Sequence, residues 1–175
     1  MAVGQQLIAP KGFGVLEKDQ RYHLVQHHAN SGVVTLASFW KRGQKWRVRL
    51  DRLPGDVFEA ALLESKQLVL AKQQNHMPPW LQDVEGANFD AIDAHRSAKS
   101  QSYRGQIDDR FNHIAPLLAK LEEILATPNP LREIASYSRK CSTRQHPYRV
   151  QLWLFTYICF GRNIWSLKAP THRLG

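Results

Sequence analysis

Between residues 144 and 149 the chain carries Arg144, Gln145, His146, Tyr148 and Arg149, immediately ahead of a long apolar run. Arg and Gln can make paired hydrogen bonds to a base edge, Arg to guanine and Gln to adenine. Arg144, Gln145, His146 and Arg149 therefore form a candidate base-reading set. Around them stand Arg139, Lys140, Arg162, Lys168 and Arg173, cations of the kind that hold phosphates. A second basic row, Lys41, Arg42, Lys45, Arg47, Arg49 and Arg52, lies in the first third of the chain. Within it Lys45, Arg47 and Arg49 are candidates for flanking phosphates. The plainer explanations are a solvated strand face with a charged turn that discourages edge pairing, and an ordinary helical bundle with a basic end.

Other chemistries find little support. There is no Gly-rich phosphate loop, no HExxH, no CxxC and no nucleophile elbow. Cys141 and His146 pair only weakly across a turn. His27 and His28 are adjacent, so on a strand they point to opposite faces, and no further metal ligand lies nearby. No catalytic residue, metal ligand or cofactor is expected. Two cysteines make no disulfide framework and suit a reducing compartment. The apolar run 150–160 is shorter than the about 18 residues a bilayer span needs, and the opening MAVGQQLIAPKGFG lacks the apolar stretch of a signal peptide. The expectation is a cytoplasmic protein with no membrane partner.

The formal charge is +9 and the pI about 9.8. Residues 1–71 carry +4, residues 72–100 carry −1 and residues 101–175 carry +6. Two basic blocks thus flank a nearly neutral connector, a balance that attracts polyanions, chiefly nucleic acid.

The elements that must position these residues follow from periodicity. Segments 12–19, 21–28, 32–40 and 45–51 read as short strands, separated by Lys18-Asp19, Asn30-Ser31-Gly32 and Arg42-Gly43. On 45–51 strict alternation puts Trp46, Val48 and Leu50 inward, with Lys45, Arg47, Arg49 and Asp51 outward. Pro54 and Gly55 stop the last strand. Asp56 can cap a helix on which Phe58, Ala61, Leu62 and Ser65 share a side. Residues 1–71 are thus expected to form a small antiparallel β unit, a partial barrel closed by a helix. Residues 72–105 form a connector in which PPWL (78–81) docks on a neighbouring surface, a short helix lies around 88–98 and 97–105 acts as a hinge.

Residues 106–175 read as three helices. Ile107, Phe111, Ile114, Leu118, Leu121 and Leu125 make one stripe, bent or broken near Pro116. Asn129-Pro130 starts a second helix that reaches about Lys140. After the turn Cys141–His146, Pro147 opens a third, with Val150, Trp153, Leu154, Tyr157 and Ile158 inward and Gly161 as its stop. A short helix, a turn and a helix with long donors at its start is helix-turn-helix logic. The fold class expected is α+β.

The segment LWLFTYICFGRNIWSLKAPTHRLG resembles the region just before the catalytic core of TnsB-like (TniA-like) DDE transposases, relatives of Mu transposase and retroviral integrases. Gly161, Asn163, Leu167, Pro170 and Gly175 carry the likeness. The stretch DVFEAALLESKQLVL, following strands, is similar to that family's amino-terminal β domain. The resemblance covers most of the chain in element order and is residue-specific from about 147 to 175. It implies sequence-specific binding of double-stranded DNA at repeated transposon ends, in a bacterial, nucleoid-associated setting. It implies further transposase protomers and an AAA+ regulator as partners. Strand transfer would belong to an RNase H-like domain with three acids and two Mg²⁺ ions, for which this sequence has no room. An assembly module without base readout is the alternative.

Overall fold

A computed structural model describes residues 1–28, 32–94 and 102–168. The chain divides into two compact units, residues 1–75 and residues 76 onward. The connector is therefore no separate body: 72–75 belong to the first unit and the rest to the second. Among the described residues the architecture is α+β, with a five-stranded antiparallel sheet and six α-helices.

The first unit holds β1 (Gln6–Ile8), β2 (Arg21–His28), β3 (Val33–Arg42), β4 (Lys45–Pro54) and β5 (Val69–Leu70). Their order across the sheet is β4-β3-β2-β1-β5. The expected strand at 12–19 does not form. Phe13 and Leu16 bond to each other's backbone across a tight turn, with Gly12 and Gly14 at positive φ. Gln6–Ile8 takes its place beside β2. Arg21 ties this edge together, donating to the Gln6 side chain and the Gln73 carbonyl at 2.6 Å each.

Leu7, Leu16, Tyr22, Leu24, Val34, Leu36 and Leu53 make the core on one face. α1 (Gly55–Glu59) closes it through Phe58 and runs into a π turn, Ala60–Glu64, that adds Ala61. The Ser65 N–H donates to the Ala60 carbonyl at 3.0 Å, five residues back, which defines that wider turn. Asp56 is not the cap. Pro54 occupies that position, with no side-chain bond, and Asp56 sits in the first turn, where its charge suits the helix dipole.

The face assignment of β4 is also corrected. Asp51 pairs with Leu36 and Leu53 with Val34, so Arg49, Asp51 and Leu53 lie on the core face. Trp46, Val48 and Leu50 share the opposite face with Phe39 and Ala37, where Phe39, Ala37 and Val48 are also buried. Both faces carry buried side chains, so alternation alone did not say which was the core.

The second unit begins with the docked PPWL segment. Met77, Leu81 and Phe89 form a small cluster with Trp80 and Trp165 packed on it. Phe89 and Trp165 stack at 5.2 Å, and Trp80 Nε1 donates to the Lys168 carbonyl at 3.1 Å. α2 spans Phe89–Ala94. The remainder of the expected helix to 98, and most of the expected hinge, fall outside the described residues. Tyr103, Arg104 and Gly105 already belong to α3 (Tyr103–Ala119). The Asp93 carboxylate accepts from the Tyr103 and Arg104 amides at 2.6 and 2.9 Å, satisfying two of the orphan donors at that helix start.

α3 passes through Pro116 without interruption and stops at Lys120, ahead of α4 (Leu121–Ala126). Proline removes a single N–H, and packing of Ile107, Ile114 and Leu117 holds the helix on either side of it. α5 (Pro130–Lys140) starts where Asn129 accepts from the Arg132 amide at 3.1 Å. α6 (Pro147–Cys159) ends in a Schellman turn: Gly161 has φ +72° and the Arg162 N–H reaches the Tyr157 carbonyl at 2.9 Å. α6 is more deeply buried than its stripe suggested. Leu152, Phe155, Thr156 and Cys159 are inside as well, while Trp153 and Tyr157 are half-buried. No helix among the described residues is long and apolar enough to cross a membrane.

Candidate nucleic-acid interface

α5, the turn Cys141–His146 and α6 hold the candidate base-reading set. Ile134, Ala135 and Ser138 turn α5 inward, leaving Arg139 and Lys140 exposed on its last turn, where cations complement the carbonyl end of the dipole. Ser138 Oγ donates to the Gln145 carbonyl at 2.6 Å and fixes the end of the turn. His113 on α3 fixes its middle. One ring nitrogen donates to the Asp109 carbonyl at 2.9 Å, and the other meets the Thr143 hydroxyl at 2.9 Å. Tyr137 adds a bond from its hydroxyl to the His113 carbonyl at 3.2 Å. Burial, then a hydrogen bond with Cys141, pushes the Tyr137 phenol up to about 12, so it remains a donor.

The body of α6 is anchored by Val150, Leu154, Phe155 and Ile158. Gln151 is buried too, and its amide is satisfied by the Leu131 carbonyl at 2.7 Å. The amino-terminal turn has the opposite character. Arg144, His146 and Arg149 are exposed, Gln145 is half-buried, and Tyr148 is 48% exposed and stacks on His146 at 5.1 Å. The first turn contains no acid, and no side chain caps it. The helix dipole adds to the arginine charge, which makes this end suited to an anion.

Arg110 and Trp153 were not among the sequence candidates. Arg110 on α3 lies 5.6 Å from the Trp153 ring and donates to the Leu167 carbonyl. Burial and then the nearby charge of Arg149 hold its guanidinium below the usual range. Two arginines thus approach one another from α3 and α6. Positions 149 and 153 are one helical turn apart, the only sequence signal for this grouping.

The phosphate candidates divide. Arg139, Lys140 and Arg162 are exposed on the second unit and Lys45 on the first, while Arg47 is half-buried. Arg173 lies outside the described residues. Lys168 is corrected: it is 4% exposed, with Nζ 4.5 Å from the Tyr103 ring centre, so it packs inside its unit as a cation–π partner. Arg49 is corrected as well. It donates to Asp51 at 2.9 Å, to Glu17 at 2.7 Å and to the Val15 carbonyl at 2.8 Å, which commits its fork to the protein. The Asp51 bond raises its pKa further.

Among the described residues no group of three or more His, Cys, Asp or Glu side chains could hold a metal ion. Cys159 is buried, and burial pushes its thiol far up. Comparison with known proteins returned no matching family, no matching curated protein and no matching solved structure.

Proposed function

We propose that this chain binds double-stranded DNA sequence-specifically, with α5 and α6 acting as a helix-turn-helix and the first turn of α6 entering the major groove. Arg144, Gln145, His146 and Arg149 read bases, and Arg139, Lys140 and Arg162 hold phosphates. The observation that carries this reading is one contrast: α6 is buried along its body, yet its first turn and the residues leading into it present Arg149, His146 and Arg144 to solvent without an acid. An exposed tip on a rigid, deeply packed shaft is what base readout requires, because the donors must arrive in fixed register.

The resemblance to TnsB-like transposases extends the proposal to transposon-end repeats as the DNA and to further protomers and an AAA+ regulator as partners. On this reading the chain recognises DNA and performs no strand transfer, and Mg²⁺ serves only the RNase H-like domain. Binding-site selection from random duplexes tests the proposal. An enriched motif that Arg149→Ala relaxes supports it. Absence of any enriched motif, or equal losses by Arg149→Ala on enriched and random duplexes, overturns it.

A further inference from the structure

The β3–β4 ladder outruns the sheet. β2 accompanies β3 only as far as the pair Tyr22–Ser38. Four more pairs follow on β3 and β4 alone: Phe39–Val48, Trp40–Arg47, Lys41–Trp46 and Arg42–Lys45. At about 3.4 Å per residue this adds about 14 Å of two-stranded ribbon. Gly43-Gln44 closes it, with Gly43 at φ +58° and Gln44 not in the positive-φ region. That is a type II′ turn, whose backbone twist matches that of the flanking strands.

The two faces of the ribbon differ. Phe39 and Val48 are buried on one. The other carries Trp40, 42% exposed, with Arg42 and Lys45 exposed and Arg47 half-buried. Lys41 is exposed beside the turn. No Asp or Glu occurs between Val33 and Leu50. Arg49, at the base of this row, engages Glu17 and Asp51. The tip is thus a cationic, two-stranded finger with one indole on its open face.

We infer that the β3–β4 ribbon is a second duplex-DNA contact, seated in a groove, with Arg42, Lys45 and Arg47 on phosphates and Trp40 against the sugar and base edges. This rests on the reading that the chain binds duplex DNA, and it replaces Arg49 by Arg42 and Trp40 as the working residues of the first unit. The major groove, about 12 Å wide, admits a two-stranded ribbon. An anionic membrane would also attract the charge, but a single exposed indole falls short of the broad apolar face that seating in a membrane needs.

The test uses the whole 175-residue chain and a labelled random-sequence duplex, titrated from about 50 to about 200 mM salt. The double variant Arg42→Gln/Lys45→Gln should lower the salt slope by about 1.8, and Arg42→Lys/Lys45→Arg should leave it unchanged. Trp40→Ala should weaken binding with the slope intact. Unaltered far-UV spectra show that each variant is folded. A slope unchanged by the double glutamine variant overturns the inference. So does tighter binding to an oligo-dT single strand or to phosphatidylglycerol vesicles than to duplex. Arg144→Ala and Arg149→Ala on enriched duplex separate the two readings. If sequence preference survives in them while the ribbon variant flattens the slope, the ribbon stands and the α6 reading falls. The reverse pattern removes the ribbon alone, and no duplex binding by the wild type removes both.

Discussion

Arg49 on the sheet and Arg149 on α6 look equivalent as letters, each a long cation beside an apolar residue in a basic block. Their surroundings are opposite. Arg49 spends its donors on Asp51, Glu17 and a carbonyl. Arg149 stands exposed near Arg110, and two like charges held close gain from an incoming anion. Net charge measures attraction to a polyanion, but the side chains that meet it are those the fold leaves without a carboxylate. At the base of the β3–β4 ladder Arg49 and Asp51 are committed to the fold, whereas Arg149 at the α6 tip is available to a ligand.

That contrast can be broken in several places. The largest effect belongs to His23, which is buried on the sheet. Burial, followed by the charge of Arg21, lowers its pKa from 6.5 to about 3. An unfolded chain takes up this proton near pH 6.5, and the native chain only near pH 3. Stability from this group is therefore complete above pH 6.5 and declines as pH falls toward 3, by about 5 kcal/mol in all. Urea midpoints at pH 7 and pH 4 should fall steeply for the wild type and much less for His23→Gln. Equal drops would show that His23 is not the acid-labile group.

Next comes Asp51→Ala, which strips Arg49 of its most buried partner. It should cost about 2 kcal/mol of stability and leave duplex affinity untouched. A loss of DNA binding without a loss of stability would reverse the assignment of this pair. Arg149→Ala should do the converse. Stability should stay within about 0.5 kcal/mol, while affinity for selected duplex falls by about 1–3 kcal/mol and preference relaxes. The smallest effect compares two lysines of the second unit. Lys140→Gln should reduce the salt slope by about 0.9, and Lys168→Met should not change it, because its ammonium sits over Tyr103. A flattened slope for Lys168→Met would put that cation on the DNA after all.

Much of the fold was legible. Alternation and turn residues located β2, β3 and β4, and Asn129-Pro130 and Gly161 marked where α5 starts and α6 stops. The misses share a cause, which is contact between residues far apart in sequence. Gln6–Ile8 and Val69–Leu70 are too short to show a period and are strands only because they pair with each other and Gln6–Ile8 also pairs with β2. Arg49 looked free because Glu17 lies 32 residues away. Lys168 looked like a surface cation because Tyr103 was read as part of a hinge. At the α6 tip the exposure of Arg144 and Arg149 was readable, since helix phase and local composition decide it. The approach of Arg110 was not, because it depends on how α3 crosses α6.

The Trp80–Lys168 bond and the Phe89–Trp165 stack tie the beginning of the second unit to residues made much later in the chain. Such closure delays folding, because the entropy of joining distant segments must be met before the contact stabilises anything. During synthesis the first unit can complete its sheet while the indoles of Trp80 and the ring of Phe89 still wait for their partners. A chain cut ahead of Ile164 would keep every helix from α2 to α6 and yet expose the Met77–Leu81–Phe89 cluster, turning a closed unit into an adhesive one.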